Sequence, residues 1–188
     1  MCSSDLLGSV ERTDDFRPDA EIPEDCYAVR PTDYRGSGYD RGHMAPSGDR
    51  TRRVKDNSAT FVMTNMIPQS PANNREIWRE LEEHSRRLVE KEGKELYIVA
   101  GGEGQEKQIA EGKVTVPKYT WKVILVLDKP EEEVTENTTT IAVRIPNSQE
   151  VARTDWEDYK VSVDEIEKRT GYNFFSQIPR QIQKQIEK

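Results

Sequence analysis

The chain holds two histidines, His43 and His84, and their surroundings differ in the chemistry they allow. Histidine titrates near pH ~6.5, so its neutral ring can accept a proton at neutral pH. His43 closes the run Asp40-Arg41-Gly42-His43, which leads on to Pro46. Residues two apart in an extended segment share a side, so Arg41 would stand beside His43. Such a pair suits phosphodiester cleavage. The imidazole removes a proton from attacking water, and the guanidinium fork neutralises phosphate oxygens. A lone histidine is more often structural, and on these residues alone both readings stay open. His84 lies in Glu82-Glu83-His84-Ser85-Arg86, where an exposed helical position is expected.

A second set of side chains, Asn74, Glu82 and Arg86, recurs at 8- and 4-residue spacing. At ~100° per residue on a helix, Glu82 stands about 80° from Asn74 and Arg86 about 40° further round. All three fall on one half of the helix. A hard cation such as Mg²⁺ takes oxygen ligands and keeps several waters. The Asn74 amide oxygen could anchor it, with Glu82 acting through a bound water. A solvent-facing polar stripe accounts for the same residues. Trp78 lies on this stripe and fits either under a site or in a core.

These groups need elements to carry them. The helix is expected to begin at Asn73 or Asn74 and to end at Gly93, with Ile77, Trp78, Leu81, Leu88 and Val89 as its apolar face. Strands are expected at Cys26 to Val29, Thr60 to Met66 (stopped by Pro68 and Pro71), Glu95 to Ala100 (closed by Gly101-Gly102), Thr115 to Val116, Thr120 to Leu127 and Thr139 to Ile145. Residues 8 to 24 read as an extended arm and Pro31 to Tyr39 as a turn-rich loop. Further helices are expected over Val163 to Thr170, stopped by Gly171, and Ile178 to Glu187. The sum is an α+β fold with a mainly antiparallel sheet around one long helix.

Composition narrows the partners. Of 188 residues, 34% are hydrophobic and 34% charged, with net charge −7. That balance argues against a protein coating nucleic acid through a broad basic surface, though not against local phosphate binding. Charge is uneven: Arg41, Arg50, Arg52, Arg53 and Lys55 stand against one acid, Asp49. This strip is either phosphate-facing or a solvated loop. No apolar run approaches the ~20 residues of a membrane helix. Cys2 and Cys26 form no disulfide framework and have no metal-site spacing. Met1 to Leu6 has no apolar core of a signal peptide. Its Met-Cys-Ser-Ser-Asp-Leu run matches a translated sequencing-adapter end, so residues 1–6 are expected to be a non-native leader. Residues 7–188 are then expected to be one domain lacking its natural start.

Taken together, YDRGHMAPSGDR (Tyr39 to Arg50) and TNMIPQSPANNREIWRELEEHSR (Thr64 to Arg86) resemble the DNA/RNA non-specific endonucleases. LGSVERTDDFRPD and TGYNFFSQIP extend the likeness over nearly the whole chain from Leu7, toward the cyanobacterial branch. The resemblance implies a ββα-metal (His-Me finger) core within a mainly antiparallel sheet flanked by helices. It implies a Mg²⁺-dependent enzyme, with Mn²⁺ as a substitute, that cuts DNA and RNA to 5′-phosphate ends. His43 would be the general base, Asn74 the metal ligand, and Glu82 would hold metal-bound water. Arg41 and Arg86 would contact the phosphate, and Asn65 would support the site. Asp40 and Gly42 would be structural. Secretion or a periplasmic location is implied too, and some relatives form homodimers. A further arginine is expected from sequence ahead of Leu7, which this chain does not carry. A catalytically impaired fragment and a non-catalytic nucleic-acid-binding domain are the competing readings.

Overall fold

In chain order the strands and helices are β1 (Asp40–His43), α1 (Val54–Ala59), β2 (Met66–Gln69), α2 (Trp78–Glu92), β3 (Glu95–Glu103), β4 (Lys107–Ile109), β5 (Val114–Val116), β6 (Tyr119–Leu127), β7 (Thr139–Pro146), α3 (Val163–Thr170) and α4 (Arg180–Ile186). The structure, a computed structural model, describes residues 3–188. All pairs between named strands are antiparallel: a β1-β2 ribbon, a β3-β6-β7 sheet and a β4-β5 hairpin. The fold is therefore α+β. The β1-β2 ribbon followed by α2 forms the expected ββα unit.

The apolar run that made β6 legible also makes it central. It pairs with β3 along one edge and β7 along the other, and Thr120 to Leu127 are all buried. Its alternate residues serve two cores. On one face Ile124 and Val126 meet Ile77, Trp78, Leu81 and Val89 from the long helix. On the other, Trp121 and Val123 meet Val163 and Ile166 of α3. Ile77, Trp78 and Leu81 are at most 1% exposed, and each such burial stabilises the docking of α2 by roughly 1.5–3 kcal/mol. Gly93 ends α2 in the left-handed conformation (φ 69°), as its lack of a Cβ permits.

Several boundaries differ from the expectation. Cys26 to Val29 is not a strand; Cys26 N–H closes a turn onto Pro23 O. Thr60 to Met66 is mostly turn and 3₁₀ structure, and the strand begins where it was expected to stop. Pro68 is tolerated inside β2 because a two-stranded ribbon has an unpaired edge, where a missing N–H costs little. The helix start is not capped by Asn73 or Asn74. Ser70 Oγ accepts from Asn73 N–H at 3.3 Å, and Pro71 opens the helix. β3 continues through Gly101-Gly102 because these glycines allow close approach. A Cβ on Gly101 would lie 2.6 Å from the Trp121 ring, and one on Gly102 2.7 Å from Pro117 Cβ.

Candidate active site

His43, at the end of β1, sits in an aromatic cage. Its ring meets Phe61 edge-on at 4.9 Å and Phe16 at 5.7 Å, and these two rings meet each other at 4.9 Å. The guanidinium of Arg41 lies 3.9 Å over Phe16, and that of Arg12 4.8 Å over Phe61. Burial, reinforced by the charges of Arg12 and Arg41, pushes the imidazole down to about 4. The ring is therefore neutral at pH 7. Its Nε2 atom is buried without a hydrogen-bond partner, so only Nδ1 can meet a molecule in the adjoining cavity.

The helix supplies the other half, and acids hold it in place. Asp40 accepts from Asn74 Nδ2 at 2.9 Å and from Arg75 Nε and Nη2 at 2.7 and 2.6 Å. Burial alone would push the Asp40 carboxyl up, but the Arg75 and Asn74 bonds and the Arg75 charge hold it below its ordinary value. Buried Asp49 accepts from Arg86 Nη1 at 2.9 Å. Gly48 leaves room for that arm, since a Cβ there would stand 3.1 Å from Nη1. Glu82, 13% exposed, is pushed up to about 7 by burial, with Asp49 adding to the rise and Lys122 and Arg86 opposing it.

A backbone irregularity aligns these residues. Asn73–Ile77 form a π turn, and Trp78 N–H bonds to Asn73 O. A π turn takes up one extra residue, so rotation across it falls by up to one residue's ~100°. The separation of Asn74 and Glu82 thus shrinks from about 80° to within a few tens of degrees. The polar stripe is straighter than an α-helix allows. Trp78 belongs to the core beneath it, 1% exposed.

Loops around β1 complete the arrangement. Gly42 is required by its neighbour across the ribbon, because a Cβ would fall 1.7 Å from Gln69 Oε1. Gln69 Nε2 donates to Asn73 Oδ1, and Asn73 Nδ2 donates to Thr120 Oγ1 and Pro146 O. The Gln69 and Asn73 amides thereby fix the ribbon and helix start to the sheet. The N-terminal arm is laced along the loop after β1. Gly8 N–H donates to Thr51 Oγ1, Val10 N–H to Thr51 O, and Thr13 N–H to Asn57 Oδ1. Fully buried Asn57 in turn donates to Ser47 O and Arg50 O. This lacing carries Arg12 to the site.

His43, Arg41, Asn74, Glu82 and Arg86 all line one cavity of about 630 Å³. Asn65 does not. It sits in a 3₁₀ turn, donating to Ala45 O and Thr60 O and accepting from Ala45 N–H, so it pins the loop after β1. Arg12, Arg75 and Arg79 also line the cavity and were not expected. Arg12 brings an arginine to the cavity from after Leu7, not from the region where the further arginine was expected. It lies inside the LGSVERT run, 31 residues before His43, where no helical or strand period could connect the two. Of the five cations in the basic strip from Arg41 to Lys55, Arg41 alone lines this cavity. Arg52 instead donates to Asp5 O. His84 is half-buried rather than exposed, its ring 5.0 Å from that of Trp156. Cys26 is a free, exposed thiol; Cys2 lies outside the described residues.

An antiparallel ribbon and a helix thus set a buried imidazole, a tethered amide and several arginines about one cleft. The family model for DNA/RNA non-specific endonucleases matches residues 3–181, and the chain belongs to that family of nucleic-acid-hydrolysing enzymes. It is 55% identical over 188 residues to a nuclease of Nostoc sp., covering 98% of this chain and 68% of that protein. It is 32% identical over 193 residues to human mitochondrial nuclease EXOG, covering 96% of this chain and 51% of that protein. The chain thus spans about half the length of this mitochondrial relative. A crystal structure of the EndoG/EndoGI complex contains a chain that matches with a TM-score of 0.81 at 29% identity, over 98% of this chain and 78% of that one.

Proposed function

We propose that this chain is a Mg²⁺-dependent endonuclease, with Mn²⁺ as a substitute, that hydrolyses DNA and RNA without sequence preference and leaves 5′-phosphates. One observation carries the reading. A buried neutral imidazole and an acid-tethered amide share a single arginine-lined cavity.

The residues suit such an ion. Asp40 holds the Asn74 amide nitrogen, which leaves the carbonyl oxygen as the donor toward the cavity. A hard oxygen donor fits Mg²⁺, which keeps several waters and takes one or two protein ligands. The cavity needs no carboxylate cage. Among the described residues a group of three or more acidic, histidine or cysteine ligands occurs only at Asp164, Glu167 and Glu187, outside the cavity. When bound, the ion neutralises charge on the scissile phosphate and its leaving oxygen.

His43 Nδ1 takes the proton from the attacking water. Its low basicity in the free site rises once a phosphate anion is drawn in, because a nearby negative charge favours the imidazolium. Arg41 and Arg12 bind the phosphate at the cage. Arg86, aimed by Asp49, stabilises the crowded phosphorus from the helix side. Glu82, on the same cavity wall, would hold water of a bound ion.

Plasmid DNA and RNA treated with the purified chain should be cut with Mg²⁺ and left intact with EDTA. Asn74→Ala should need more Mg²⁺ and lose activity, each by roughly 10- to 100-fold. An unchanged Mg²⁺ titration in Asn74→Ala refutes the ligand assignment. Binding without cleavage in either metal refutes the enzyme reading.

A further inference from the structure

One buried cation lies outside the cavity yet touches its wall. Lys122 is on central strand β6, in the same alternating row as Ile124 and Val126. That row packs against the long helix, so an apolar residue is expected there. Instead the lysine is 2% exposed and cannot reach water by extending its chain. Its Nζ lies 3.8 Å from Glu82 Oε1 and 4.2 Å over the Trp78 ring. An ammonium withdrawn from water this far is sustained only by paired charge and a ring face.

Glu82 forms a partition. It lines the 630 Å³ cavity on one side and, on the other, a smaller space of about 50 Å³ shared with Asp49, Ser85 and Lys122. Of these two, Lys122 lines only the smaller. Any ion or phosphate therefore meets Glu82 from the front, whereas the lysine meets it from behind, out of the core.

We infer that Lys122 is a positioning residue for hydrolysis, a fixed positive charge that holds the Glu82 carboxylate in place at the cavity wall. This rests on the reading of Glu82 as the residue that orders the ion's water shell. Lys122 lines no part of the larger cavity, and its effect on the ion's site passes through Glu82. Metal affinity and turnover should therefore fall when it is neutralised, while affinity for the polymer should not.

The test is a double-mutant cycle of Lys122→Met and Glu82→Gln. Mn²⁺ affinity is measured by calorimetry without substrate, kcat and KM on DNA, and folding by circular dichroism. Lys122→Met should lower Mn²⁺ affinity and kcat by roughly 10- to 100-fold each. KM for DNA should stay within about twofold, and in the Glu82→Gln background Lys122→Met should add less than about twofold. Lys122→Arg, which keeps the charge, should recover most of the metal affinity. Unchanged affinity and kcat in Lys122→Met overturn the inference, as does an equal loss in the Glu82→Gln background. If Lys122→Met alone does not fold, the double variant and Lys122→Arg decide. A loss in Lys122→Arg as large as that of Glu82→Gln overturns it. Full activity in Glu82→Gln itself instead removes the reading of Glu82.

Discussion

The two halves of the cavity are built by opposite means. Around His43 the walls are rings: Phe16 and Phe61 pack the imidazole, and Arg12 and Arg41 lie on those rings. Around the helix every polar group but Glu82 is gripped by an acid. Asp40 holds Asn74 and Arg75, and Asp49 holds Arg86. On the proposed mechanism, the difference follows from what each half has to do. A base must be neutral, and desolvation achieves that without a partner. A ligand or phosphate clamp must be aimed, and charge-assisted hydrogen bonds fix direction better than packing does.

The contrast can be broken first at Asp40. Asp40→Ala frees Asn74 and Arg75 together, and both metal affinity and kcat should fall by roughly 10- to 100-fold. A variant with normal Mn²⁺ binding by calorimetry would show that the helix half needs no acid tether. Asp49→Asn comes next. It replaces a charge-assisted bond to half-buried Arg86 with a neutral one, so stability should fall by about 1–3 kcal/mol in urea melts and kcat by about tenfold. A loss of stability with kcat intact would make Asp49 structural only.

The smallest effect concerns the ring half, and it is a matter of pH. His43 has a folded value of about 4, below its ordinary 6.5, chiefly through burial and then through Arg12. The unfolded chain therefore binds more protons between these values. The stability gained by keeping the ring neutral is full above pH 6.5 and is lost as pH falls toward about 4. The His43 step of the acid limb of kcat/KM in the free enzyme should lie nearer 4 than 6.5, below the step that Glu82, pushed up to about 7, contributes. Arg12→Ala should move the His43 step upward, because a repelling charge and some cover are both removed. A His43 step that stays put in Arg12→Ala separates the arginine from the tuning of the base.

The two halves were also unequally legible in the sequence. The helix half showed itself through local period: Ile77, Trp78, Leu81, Leu88 and Val89 gave the buried face, and Gly93 its end. The π turn at Asn73–Ile77 leaves no mark in that period, so the stripe from Asn74 to Arg86 looked more splayed than it is. The ring half was legible only at Arg41 and His43. Phe16, Phe61 and Arg12 reach the base through loops whose hydrogen bonds span more than 40 residues, as Thr13 to Asn57 does. Residue spacing along a chain carries no such information. Pro68 and Gly101-Gly102 misled for a related reason. As local signals they break strands, but an unpaired ribbon edge admits the one and close packing on Trp121 and Pro117 needs the others.

The central claim is that His43 is the base of a metal-dependent nuclease, and single-turnover cleavage of DNA and RNA by His43→Ala tests it most directly. Removing a general base costs roughly 10²- to 10⁴-fold. A loss of that size is expected on both polymers at saturating Mg²⁺, with the variant still folded by circular dichroism and Mn²⁺ binding little changed. Cleavage by folded His43→Ala at the unsubstituted rate would contradict it.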